Sequence, residues 1–108
     1  MSHKVIVLNV AQPDFREIRS YVQNDFGDAV WSDVNQAFKD MFKKIAAHPE
    51  NGKHIEELRE VGIQNFRYRM VRQTKIVYEF NASEVLIHMF IQTRRDFRSH
   101  LMKRLFNL

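Results

Sequence analysis

The first apolar run, Val5-Ile6-Val7-Leu8, sits in a short β-rich stretch from Lys4 to Val10 and reads as a strand. The period then changes. Phe15, Ile18, Val22 and Phe26 recur at helical spacing. Pro13 suits a first helical position, and Asp14 and Glu17 lie in the first turn, where the helix dipole favours anions. These residues predict an amphipathic helix over 13–26, ended by Gly27. A second stripe follows at once: Val30 and Trp31, Val34, Phe38, Met41 and Phe42, then Ile45, with Asp28 as N-cap and Pro49 as the stop. So short a joint makes the pair an antiparallel helical hairpin. His48 to Lys53 is turn-rich, and His54 to Gly62 is too short to classify.

From Phe66 the period falls to two. Phe66, Tyr68 and Met70 alternate with Arg67, Arg69 and Val71; Ile76, Tyr78 and Phe80 alternate with Lys75, Val77 and Glu79. The joints Arg72-Gln73-Thr74 and Asn81-Ala82-Ser83 are short enough for hairpins, so an antiparallel meander is expected. Val85 to Ile91 is apolar throughout except for His88, as in a central strand. Thr93-Arg94-Arg95-Asp96 has the form of a capping box, and Phe97, Leu101 and Leu105 give a short final helix one apolar face. The order β-α-α-β-β-β-α predicts an α+β domain over 1–108, with its helices on one face of a mostly antiparallel sheet.

With 44% apolar and 28% charged residues, the composition is that of a globular domain. No apolar run approaches the roughly 20 residues that span a bilayer. The chain has no cysteine, which excludes disulfides, thiolate metal sites and Cys nucleophiles, and makes the cytoplasm the expected compartment. Charge divides the chain. Residues 1–65 carry 8 Lys/Arg against 10 Asp/Glu, whereas residues 66–108 carry 9 against 3. A net +6 in the C-terminal part points to an anionic or acidic partner.

Several segments, in this order and spacing, resemble the RelE/ParE superfamily of bacterial type II toxins. Val10-Ala11-Gln12-Pro13-Asp14-Phe15-Arg16-Glu17-Ile18 with Tyr21-Val22 and Phe26-Gly27 is similar to the family's opening helix. Ile45 to Gly52 is similar to its helix-ending P..G turn, and Glu57-Leu58-Arg59, Phe66 to Arg69 and Ile76-Val77-Tyr78 to its central block. Arg94-Arg95-Asp96 after the last strand most resembles the ParE branch. The resemblance implies a toxin neutralised by a cognate antitoxin, with operator DNA bound only through the antitoxin, and no cofactor. It implies DNA gyrase as target for a ParE-like member, and the ribosome and its mRNA for a RelE-like endoribonuclease. It also implies an antitoxin helix seated beside Phe15, Ile18, Val22, Trp31 and Phe38.

The residues bear on that choice. RNA cleavage through the 2′-hydroxyl needs a base, an acid and cations at the phosphate. Arg67, Arg69, Lys75 and His88 could supply them if the sheet brings them together. The plainer alternatives are a polar strand face for the arginines and a hydrogen-bonded structural histidine. Tyr78 and Trp31 read as core. The histidines at 3, 48, 54, 88 and 100 lack metal-ligand spacing, so no metal site is assigned. No tyrosine follows Tyr78, and the final helix region instead carries Arg94, Arg95, Arg98 and Arg104, which suit a target-binding surface.

Overall fold

In the computed structural model, which describes residues 2–106, the chain is α+β. Four α-helices flank a mixed sheet of five strands among those residues. Strand β1 (Lys4–Val7) leads through a 3-10 turn at Asn9–Ala11 into α1 (Gln12–Phe26) and α2 (Asp28–Ala47). A second 3-10 turn, Pro49–Asn51, precedes β2 (Lys53–His54) and α3 (Glu56–Arg59). Then come β3 (Phe66–Val71), β4 (Thr74–Phe80), β5 (Glu84–Gln92) and α4 (Phe97–Phe106). No described helix is long and apolar enough to cross a membrane. The ends of the predicted domain, residues 1 and 107–108, lie outside the described residues.

The helical hairpin turns on one residue. Gly27 has φ +91°, a conformation open to glycine at no steric cost. Its N–H donates to the Gln23 carbonyl (3.0 Å) and its carbonyl accepts from the Trp31 N–H (3.1 Å). It therefore closes α1 and opens α2 together. Asp28, expected as the N-cap, is instead the first residue of α2.

The meander β3-β4-β5 is present and antiparallel. Two further strands complete the sheet in the order β1-β5-β4-β3-β2, with β1 parallel to β5. In β5, Met89 faces Val77 and Ile87 faces Tyr78, which leaves His88 as the extra residue of a bulge. A bulge shifts the alternation by one. It is why Phe90 joins Val85 and Ile87 on the side of the hairpin, while Met89 and Ile91 turn to the other side.

Helices occupy both faces, not one. Ile18, Val22, Trp31, Val34, Phe38 and Ile45 of the hairpin pack on Ile76, Tyr78, Val85, Ile87 and Phe90. On the opposite face Leu58 of α3 and Leu101 of α4 cover Val77, Met89 and Ile91. A sheet with two apolar faces needs cover on each, since every fully buried side chain of this size gains about 1.5–3 kcal/mol from leaving water. The box-like Thr93–Asp96 pattern also resolves differently. Asp96 is the cap: its Oδ1 accepts from the Ser99 N–H (3.2 Å) and its Oδ2 from the Ser99 hydroxyl (2.9 Å).

Candidate functional site

Residues 67, 69, 75 and 88 do not converge. Arg69 pairs with Ile76 and Arg67 with Tyr78, so both arginines project to the hairpin face. Lys75 pairs with Met70 and projects to the α4 face. There its ammonium lies 4.7 Å from the Tyr68 ring centre and 4.1 Å from that of Phe97. The cause is the length of one turn. Thr74 belongs to β4, leaving Arg72 and Gln73 as a two-residue loop, with Arg72 at φ +52°. A three-residue loop would have placed Lys75 beside the arginines, because one residue of register exchanges the faces.

His88 lies on the α4 face. Its Nε2 is 2.8 Å from Glu79 Oε1, and the Phe66 ring packs beside it at 5.0 Å. Arg67 is tied back to the backbone, donating to the carbonyls of Gln64 and Phe66, and its guanidinium stacks on Phe80 at 5.4 Å. The four residues proposed for cleavage chemistry are thus divided by the sheet itself.

Arg104 is engaged as well. Its guanidinium donates to Asp14 Oδ2 (2.8 Å) and Oδ1 (3.0 Å) and to the His88 carbonyl (2.8 Å). Asp14 Oδ2 also accepts from the Phe90 N–H (3.2 Å). These bonds have a geometric reason. Strand β1 pairs with β5 only as far as Ile87, so the edge of β5 beyond it has no neighbouring strand. Asp14 and Arg104 satisfy the backbone groups of His88 and Phe90 there, and bolt α1 and α4 together across the edge. The hydrogen bonds from Arg104 to Asp14 raise the guanidinium pKa further. In the sequence Asp14 stands out as a favourable first-turn charge and as part of the opening motif; a partner 90 residues away leaves no local signal.

What remains open at this edge is a groove. It is lined by Glu17, Ile18 and Tyr21 of α1, by Phe90 to Gln92 of β5, and by Arg94, Arg95 and His100. It continues past Tyr21 and Gln92 into a second cleft bordered by Phe26, Val71, Arg72 and Arg94. Tyr21 and Phe26 stack edge to face at 6.0 Å and are 41% and 59% exposed. Arginine therefore rims a floor with aromatic and aliphatic surface, a composition suited to a protein partner with carboxylates at its margin. No family model and no curated protein matches this chain.

The remaining expected contacts are distributed around that groove. Ile18, Val22 and Phe38 form the floor of its second cleft and are otherwise core. Phe15 borders a separate apolar crevice with Val7, Phe42 and Phe90. Trp31 is buried and lines neither, so the five do not form one continuous seat. Arg94 and Arg95 are exposed, the former donating from Nε to the Gln92 side chain at 3.1 Å, and Arg98 is exposed on the first turn of α4. No group of three or more metal-ligating side chains occurs among the described residues.

Tyr78 is a core residue, as its phase with Ile76 and Phe80 predicts. It is fully buried, and its hydroxyl donates to the Pro49 carbonyl (2.6 Å). Burial pushes its pKa up to about 12, against the opposing pull of the Arg69 and Arg67 charges. Gly52 lies against that hydroxyl, where a Cβ would collide with it and with Arg67.

Proposed function

We propose that this chain is a RelE/ParE-like toxin of a type II toxin–antitoxin pair, acting in the cytoplasm on DNA gyrase and held inactive by its cognate antitoxin. Operator DNA is reached through the antitoxin, and no cofactor is required. The reading rests on the order and motifs of the chain, which resemble that family. The observation that carries the choice of target is the separation of Arg67 and Arg69 from Lys75 and His88 by the sheet. It leaves the 2′-hydroxyl chemistry without an assembled acid, base and phosphate clamp. A binding mode fits better. Arg94, Arg95 and Arg98 supply the exposed charge, while Arg104 holds α4 in place to present them.

The test is expression of the wild type beside Arg94→Glu/Arg95→Glu and His88→Ala, with purified gyrase supercoiling and translating ribosomes as readouts. Growth arrest with loss of supercoiling, abolished in the arginine variant and kept in His88→Ala, is expected. Cleaved mRNA with untouched gyrase would instead favour a RelE-like endoribonuclease, for which Lys75 and the His88–Glu79 pair share a face. Unchanged growth and no effect on either target would reject both.

A further inference from the structure

A second basic site lies away from the arginine-rimmed groove. The C-terminal turn of α2 and strand β3 enclose a cleft of about 350 Å³ lined by Lys43, Lys44, Ala47, His48, Asn51 and Arg69. Among the described residues, neither lysine nor Arg69 has a carboxylate within ion-pair distance. Two acids stand nearby: Glu50, 3.5 Å from His48, and Asp40, one turn before the lysines on α2, which accepts from the Gln36 amide at 2.9 Å. The carbonyl end of α2 contributes about half a negative charge, which Lys44 in its last turn offsets. Lys43, Lys44 and Arg69 outnumber the acids beside them, and none of the three is held in an ion pair among the described residues.

The floor of this cleft is held from below. The Tyr78 hydroxyl fixes the Pro49 carbonyl, and Gly52 is pressed against the same hydroxyl with no room for a side chain. The 48–52 turn therefore cannot sink into the core, and Asn51 and His48 stay at the rim. Its lining also differs from the other groove in kind. Ala47 is its only apolar member, and no phenylalanine, tyrosine or tryptophan is among its lining residues. A protein partner would find no anchor pocket there, and a nucleobase no ring to stack on. Three cations with no aromatic or large aliphatic side chain among them match a phosphodiester backbone, which is recognised by charge and donor geometry.

We propose that Lys43, Lys44 and Arg69 form a sequence-independent contact for the phosphate backbone of a nucleic acid strand. This contact does not depend on the toxin reading, and it is made by the chain itself.

The experiment is fluorescence anisotropy of the full chain with a fluorescein-labelled mixed-sequence 20-base-pair DNA and a 20-nucleotide RNA, from 50 to 200 mM salt. Poly-glutamate serves as competitor. Each phosphate contact contributes roughly 0.9 to the slope of log K against log salt on duplex DNA and about 0.7 on a single strand. Lys43→Gln/Lys44→Gln, both at exposed positions, should lower the duplex slope by about 2, and Arg69→Gln should lower it by about 1 more. Lys43→Arg/Lys44→Arg should retain it, and Arg94→Gln/Arg95→Gln should leave it unchanged. The proposal fails if neither probe binds at 50 mM salt. It fails equally if the slope survives the lysine change, if the loss follows Arg94 and Arg95 instead, or if poly-glutamate displaces the probes as well as unlabelled DNA does.

Discussion

Replacing Asp14 by alanine removes the acceptor of two guanidinium bonds and of the Phe90 N–H in one step. The Arg104 and Asp14 side chains are 25% and 17% exposed, so water restores only part of what is lost. Breaking a fully buried pair costs about 3–5 kcal/mol, and exposure of this degree lowers the expectation to about 2–3 kcal/mol. For a domain of this size that is a drop of roughly 10 °C in thermal midpoint. The measurement is a double-mutant cycle by thermal and urea unfolding, with Arg104→Met as the second arm. Once Asp14 is gone, Arg104→Met should cost much less than in the wild type, giving a coupling of about 1.5 kcal/mol or more. High salt should reduce this coupling only modestly, because the pair is mostly shielded. A midpoint shift of about one degree, or strictly additive single changes, would show that the edge of β5 is held by something else.

Three other perturbations test the description. Gly52→Ala should destabilise by about 1–3 kcal/mol through overpacking against Tyr78 and Arg67, read from the urea midpoint. Tyr78, with a pKa of about 12 in the folded chain, keeps its proton after the unfolded chain releases its own near 10. Its contribution is present below pH 10 and lost as pH rises towards 12, which an ultraviolet titration paired with unfolding curves will show and Tyr78→Phe should abolish. Asp96→Ala should fray α4 where Thr93→Ala does not, because Asp96 holds the Ser99 N–H and hydroxyl; those same bonds lower its pKa, so the capping weakens as pH falls through the carboxylate range.

Much of this architecture is legible in the sequence where the signal is local. The helical hairpin follows from the spacing of Phe15 to Ile45 and from Gly27, and the meander follows from alternation in 66–80. The local signal fails where one residue changes a phase. Thr74 reads equally well as turn or strand, and that difference decides whether Lys75 sits with Arg69 or opposite it. His88 reads as a polar interruption of an apolar strand, yet it is the bulge that re-aims Phe90. An amphipathic stripe such as Phe97-Leu101-Leu105 says that α4 buries a face, not which side of the sheet receives it. Among the candidate residues, exposure of Arg94, Arg95 and Arg98 follows from local polarity. The engagement of Arg104 depends on Asp14 at the far end of the chain, and nothing nearby in sequence marks it.

The parallel pairing of β1 with β5 also sets an order of events during synthesis. Val5, Ile6 and Val7 are made well before the residues they pair with, Val85 to Ile87, which follow 80 positions later. Until then the opening strand has no sheet to join, and its donors and acceptors must stay in water or on a chaperone. Long loops closed late slow folding and prolong the exposure of apolar segments. Asp14 waits longer still, for Arg104. A nascent chain interrupted before β5 would therefore hold a formed helical hairpin over an unfinished core, so premature termination should yield an aggregation-prone fragment and not a smaller working domain.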